Sequence, residues 1–237
     1  MKGSQRAQYM REEILGAILS ANKDLSRDEP EVAANIGIQL EHMALTTWSI
    51  SVRRRIRDAI SHIKPKNVIQ TGAGVGHLSA WLFDYFEQEG DLSNFQLIEE
   101  GNRFAVILTR LKDRYSSVPA SVVVGIPSFL CSELKAWNIS KIGEPPMLPN
   151  ADAIIVDSIM TRLADDVKSM LPLLNKNGVL FTVEPTPPVG DREEEDPEVV
   201  GFNKWMELIQ STNDTHHLAF APLFGGTIVA WISKDQD

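Results

Sequence analysis

The sequence predicts an α/β fold: a mostly parallel seven-stranded sheet with its last strand antiparallel, helices on both faces, and a helical cap ahead of it. Three observations carry this. From residue 66 onward, short apolar runs alternate with helical patterns, as a parallel sheet covered on both sides requires. A glycine-rich turn joins the first such strand to the first such helix. Two adjacent glycines in Pro222-Leu223-Phe224-Gly225-Gly226 suit a hairpin, so the final strand reverses. A chain of 237 residues can bury one core of this size.

The leading elements are helical. Residues 4–22 carry Tyr9, Ile14, Leu15, Ile18 and Leu19 as an apolar set. Pro30 opens a second helix near 30–44, and a third runs about 49–63 to stop at Lys64-Pro65. Residues 1–44 thus read as an N-terminal helical cap and 45–237 as one compact unit. Strands are expected near 67–71, 94–99, 121–124, 152–156, 178–184, 217–222 and 226–232. Helices are expected about 77–89, 102–114, 128–136, 160–174 and 198–211.

The chain carries 32 acidic against 23 basic residues, a formal net charge of −9. That opposes binding mainly through phosphates, so nucleic acid is not the expected partner. The single cysteine, Cys131, cannot form an internal disulfide, which fits a reducing, cytoplasmic setting. No apolar run approaches the ~18–20 residues that span a bilayer, and Met1–Arg6 is too polar for a signal peptide.

The chemistry concentrates at strand ends. In Asn67-Val68-Ile69-Gln70-Thr71-Gly72-Ala73-Gly74-Val75-Gly76-His77-Leu78 a strand enters a loop with glycine at every second position. An amphipathic helix follows, with Leu78, Trp81, Leu82, Tyr85 and Phe86 on one face. Such a turn lets a nucleotide-like ligand touch bare backbone. Dinucleotide folds want G-x-G-x-x-G, and His77 stands where the third glycine would be. Glu99 ends the second strand, 23 residues after Gly76, where a carboxylate accepts two hydrogen bonds from a vicinal diol. Asp157 ends Ala153-Ile154-Ile155-Val156, a strand apolar enough to be buried on both faces, and so points into the crevice where α/β ligands bind.

The G-x-G-x-G loop, with this strand and helix around it, resembles the first motif of the class I S-adenosylmethionine-dependent methyltransferases. The three leading helices resemble those of the catechol and caffeoyl-CoA type O-methyltransferases. The resemblance covers roughly 45–233 and implies a Rossmann-like sheet, S-adenosylmethionine as cofactor, and methyl transfer to a small-molecule acceptor, on oxygen. It implies that Gly72, Gly74 and Gly76 pass under the methionine part and that Glu99, with Glu100 as fallback, holds the ribose. Gln70 stands where the family has an acid, and can still accept a hydrogen bond from the cofactor's ammonium. Thr46, Thr47 and Trp48 fall at the cofactor's carboxylate end, with Thr47 a contact, and Ser128 offers a hydroxyl near the adenine. Asp157 and Glu184 are implied as catalytic carboxylates that orient or activate the acceptor, and as ligands of a divalent cation, Mg²⁺. Pro185 has no oxygen to replace the family's asparagine ligand, and Met160 occupies the place of the catechol type's catalytic lysine. A homodimer through the leading helices is also implied. Three rival readings stand beside this one: a methyltransferase-like protein that binds cofactor without catalysis, a nucleic-acid methyltransferase, and a nicotinamide-dependent dehydrogenase, which His77 opposes.

Two charged stretches remain. The acidic, proline-rich segment 184–198 reads as a solvated loop or a lid at the site's mouth that repels anionic substrates. Arg53, Arg54, Arg55 and Arg57 read as a solvated helix face making surface ion pairs.

Overall fold

A computed structural model describes residues 13–234. The described part of the first helix, α1, covers 13–18. The elements that follow are α2 (Glu31–His42), α3 (Ile50–Ile63), β1 (Asn67–Thr71), α4 (His77–Glu89), β2 (Asn94–Glu99), α5 (Asn102–Arg114) and β3 (Ala120–Val124). The rest of the chain forms α6 (Pro127–Ser140), β4 (Ala151–Val156), α7 (Met160–Met170), β5 (Leu174–Val183), α8 (Pro197–Thr212), β6 (His216–Leu223) and β7 (Gly226–Ser233). The expected start of the leading helix, residues 4–12 with Tyr9, lies outside the described residues.

The seven strands form one sheet in the order β3-β2-β1-β4-β5-β7-β6. β1 to β5 pair in parallel, and β7 runs antiparallel to both β5 and β6. The order reverses between β1 and β4, which leaves a crevice beyond their carboxyl ends. Strand alternation sorts the side chains. Val68, Phe95, Leu97 and Ile155 join Leu82, Phe83 and Leu108 on one face. Ile69, Ile98, Ile154 and Val156 join Leu134, Val167 and Trp205 on the other. The first face is thus covered by α3, α4 and α5, the second by α6, α7 and α8. Leu15, Leu19 and Ala33 of the cap enter the first apolar layer rather than forming a core of their own.

A polar hub also pins the cap. One carboxylate oxygen of Glu29 accepts hydrogen bonds from Arg53 at 2.9 Å and Trp81 Nε1 at 3.3 Å, and lies 3.2 Å from His77 Nε2. Burial alone would raise the Glu29 pKa; Arg53, Trp81 and His77 outweigh it and hold it below its ordinary value. For His77, burial and the nearby Arg53 charge outweigh Glu29 and lower its pKa, favouring the neutral ring.

Among the boundaries that differ from expectation, α6 runs four residues further, to Ser140, the leading helix stops at 18 rather than 22, and two more meet between α7 and β5. The helix expected to 174 stops at Met170, and a single 3₁₀ turn, Leu171–Leu173, follows. Pro172 within it has no N–H to continue the helix. β5 begins at Leu174, four residues early, because the register jumps between its pairings with Ala151 and Ala153. Asn177 takes up the irregularity at φ +67°, and Gly178 sits against the backbone oxygens of Asn175 and Ala151.

Helices α7 and α8 cross where Gly201 removes a side chain. A Cβ there would fall 2.7 Å from the Met160 carbonyl oxygen and 2.9 Å from Thr161 Cα, both backbone. Gly201→Ala is therefore expected to cost about 1–3 kcal/mol in urea denaturation, with unchanged far-UV circular dichroism.

Candidate active site

The glycine loop is held at both ends. The Asp157 N–H donates to the Thr71 carbonyl at 3.1 Å, and Ala73 N–H to the Ile98 carbonyl at 3.4 Å. The three glycines have three different tasks. Gly72, at φ +64°, lets β1 touch the end of β4: a Cβ would lie 1.8 Å from the Asp157 carbonyl oxygen. Gly76, at φ +86°, precedes α4, and a Cβ there would strike Leu111 of α5 at 2.5 Å. Gly74 alone faces open space. At φ +56°, its missing Cβ would meet nothing nearer than the Gly72 carbonyl oxygen at 4.0 Å.

Glu99 closes the loop from the side. Its Oε2 accepts from Gly74 N–H at 2.7 Å and its Oε1 from Gly101 N–H at 3.1 Å. The carboxylate is buried, yet each oxygen keeps one further acceptor position. Two adjacent hydroxyls could take those positions together.

These parts line a two-lobed crevice. The smaller lobe lies among Leu40, Leu45, Gln70, Val75, His77 and Leu78. The larger has a volume of about 570 Å³ and is walled by Glu99, Glu100, Pro127, Ser158, Ile159 and Arg162. That volume suits a small organic ligand. Thr46, Thr47, Trp48, Gly72, Gly74, Phe104 and Asp157 border both lobes. The Thr71 hydroxyl beside them is buried without a hydrogen-bond partner among the described residues.

Of the expected cofactor residues, the fold brings Thr47, Gln70, Gly72, Gly74, Glu99 and Asp157 to this crevice. Gln70 spends its side-chain oxygen on Ser79 Oγ at 3.0 Å. Neither the two remaining cofactor residues, Gly76 and Ser128, nor the expected catalytic and metal carboxylate Glu184 lines the crevice. Gly76 packs against α5 instead of lining the opening. Ser128 stands aside because Pro127, at the first turn of α6, forms the wall. Glu184 lies past the end of β5, with its N–H bonded to the Thr227 carbonyl at 2.9 Å, and borders neither lobe. Of the pair expected for Mg²⁺, Asp157 borders the crevice and Glu184 does not. Among the described residues no three His, Cys, Asp or Glu side chains gather into a metal-sized group.

Sequence reasoning missed one wall of the site. Ser158 Oγ donates to Asp166 at 2.6 Å, and Arg162 donates through both terminal nitrogens to Glu100. Glu100 and Ser158 lie where a strand passes into a helix, the one signal that pointed toward this wall; Arg162 and Asp166 lie further along α7.

Asp157 is half-buried and its pKa is pushed up to about 7, by burial first and by the Glu99 charge second. An unfolded aspartate titrates near 3.9, so the folded chain holds an extra proton between roughly pH 4 and 7. The stability from that proton is complete below about pH 4 and lost as pH rises through 7. Asp157→Asn carries no charge to desolvate. In urea denaturation it is expected to exceed the parent by about 1–3 kcal/mol at pH 8 and to match it near pH 4.

No family model and no curated protein matches the sequence. Solved structures do match it. An O-methyltransferase from Bacillus cereus, solved in complex with SAH, aligns over 89% of this chain and 94% of its own at 14% identity, with a TM-score of 0.63. The O-methyltransferase TomG from Streptomyces achromogenes, in complex with SAM, aligns over 87% and 92% at 15% identity, with a TM-score of 0.64. A methyltransferase from Geobacter sulfurreducens aligns over 94% and 96% at 15% identity, with a TM-score of 0.61. Likeness over nearly the whole of each chain at so low an identity establishes the fold: this protein is built on the Rossmann-like, seven-stranded architecture of these methyltransferases.

Proposed function

We propose that this protein transfers a methyl group from S-adenosylmethionine to a small-molecule acceptor, on oxygen. The observation that carries the reading is the Glu99–Gly74 bridge at the switch point of the sheet, beside Asp157. Open backbone at Gly74, two spare acceptor positions on Glu99 and a titratable carboxylate are the features a methionyl chain, a ribose and a cation would need. Neighbours of the same fold were solved with SAM or SAH, which supports the choice of cofactor.

Bound there, S-adenosylmethionine supplies an electrophilic methyl group on a sulfonium. The residues of the chain do the rest. Glu99 would hold the ribose diol, and the Gly72–Gly74 backbone with Thr47 and Gln70 would surround the methionyl end. Phe104, Pro127 and Ile159 offer the adenosine apolar surface. Asp157, titrating near neutrality, can take a proton from an acceptor hydroxyl at its side-chain oxygen, and its ionised form favours a cation nearby. Alignment supplies most of the rate in a displacement of this kind. A cytoplasmic homodimer completes the reading; the lone free cysteine and the exposed Ile38, Met43 and Leu45 of the α2 end support it.

The test is binding, then turnover. S-adenosylhomocysteine at about 100 times its Kd is expected to add ~2.7 kcal/mol to stability, read as a rise in Tm, whereas NAD(H) leaves Tm unchanged. No rise with S-adenosylhomocysteine sinks the reading. Glu99→Gln should weaken binding roughly tenfold to a hundredfold, the loss of one charged hydrogen bond or more. S-adenosylmethionine should bind more tightly as pH is raised through 7, with the dependence flattened in Asp157→Asn. Binding without S-adenosylhomocysteine release across a panel of phenols and alcohols would instead favour the non-catalytic alternative, for which Met160 in the lysine's place already speaks.

A further inference from the structure

The basic turn of α3 does not form a uniformly solvated face. Its four arginines divide by the period of the helix. Arg53 and Arg57 turn inward and are paired through their terminal nitrogens. Arg53 binds Glu29 and the Trp48 carbonyl; Arg57 binds Asp58 at 2.7 and 3.0 Å and the Ser26 carbonyl at 3.0 Å. Arg54 and Arg55 turn the other way. Arg55 donates through one terminal nitrogen to the Leu19 carbonyl at 2.7 Å. Arg54 makes no hydrogen bond or ion pair to a described residue, although its Nε is buried.

Arg27, from the segment between α1 and α2, meets them there. It too has no ion pair with a described residue. Arg27, Arg54, Arg55 and Ser51 line a cavity of about 180 Å³, closed on one side by the β6–β7 hairpin at Leu223 and Phe224. The carboxylate in that wall, Asp58, is already neutralised by Arg57 and accepts the Asn22 N–H at 3.1 Å. The cavity shares no lining residue with the crevice.

We propose that this cavity binds a phosphoryl group carried by a small metabolite. Three arginines line a space whose one carboxylate is spent, in a chain whose net charge is −9. Arg54 has no hydrogen-bond acceptor or ion pair among the described residues, and an oxyanion in the cavity it lines supplies one. The planar fork of arginine matches a tetrahedral oxyanion better than an ammonium would. The volume holds a phosphoryl group and a few attached atoms, well short of a nucleotide. Phe224, 88% exposed at the hairpin tip, offers those atoms an apolar wall. The assignment is independent of the methyltransferase reading.

The experiment is calorimetric titration of the full chain with inorganic phosphate and with glycerol 3-phosphate, at ionic strength held constant with chloride. Saturable one-to-one binding is expected, at least tenfold weaker in Arg54→Gln and in Arg27→Gln, and unchanged in Asp157→Asn. Far-UV circular dichroism and the urea midpoint check that each variant folds; Arg27 is exposed, so its variant serves if Arg54→Gln does not. Absence of saturation by 50 mM phosphate, a concentration at which even a site with a Kd of roughly 5 mM would be about 90% filled, overturns the proposal. So does binding that survives both substitutions. Sedimentation with phosphatidate vesicles distinguishes the source: vesicle binding competed by glycerol 3-phosphate and lost in Arg54→Gln supports the same phosphoryl site on a lipid headgroup. Vesicle binding indifferent to Arg54→Gln overturns it.

Discussion

Glu99 ends β2 with both carboxylate oxygens held by backbone N–H groups, Gly74 at 2.7 Å and Gly101 at 3.1 Å. A buried charge must be paid for, and here two amides offset its desolvation while leaving it able to accept more. The same two bonds fix the loop after β1 and the turn after β2 relative to one another. Since Gly72 sits in contact with the end of β4, three strand ends become one rigid rim. The orientation of the Asp157 backbone, and hence of its side chain, follows from that rim.

A second polar centre, around Glu29, governs how the cap is seated. Arg53 reaches from α3, and His77 and Trp81 from α4, to a single carboxylate oxygen. Arg53 also grips the Trp48 carbonyl, so the linker that borders the crevice is tied to the same centre. Ser49 caps α3 by accepting the Val52 N–H at 3.3 Å, and its hydroxyl donates to the Phe224 carbonyl at 2.8 Å. The crevice, the cap and the hairpin tip therefore meet at the first turn of one helix. Breaking a buried pair of this kind by removing one partner costs more than the pair contributes, because the remaining charge is stranded.

The fold was legible because alternation and glycine placement are local signals. Val68 and Ile69 point to opposite faces, as the period of two demands, and the Gly225-Gly226 hairpin reverses the last strand as expected. The crevice was legible where it is made of strand ends: Gly72, Gly74, Glu99 and Asp157. It was not legible where tertiary packing decides. Nothing in the spacing of Glu184 tells that it borders neither lobe, its N–H continuing the β5–β7 pairing to the Thr227 carbonyl. Nor does spacing tell that Arg162 and Asp166, a helical turn apart, face the crevice through partners at residues 100 and 158. The four arginines of α3 looked alike in sequence; packing gave Arg53 and Arg57 carboxylate partners and Arg55 a carbonyl, and left Arg54 with none among the described residues.

The backbone approach at Gly72 has an evolutionary consequence. A side chain at that position would have to occupy the space of the Asp157 carbonyl oxygen, 1.8 Å away, so no substitution can reshape the floor of the crevice without parting β1 from β4. Divergence of the crevice is thereby channelled into the segments that rest on the rim without building it. Foremost among these is the Thr46–Trp48 linker, which borders both lobes and has nothing regular to disturb. A lineage on this scaffold would keep its floor and change its walls, which is a route to many ligands over one unvarying seat.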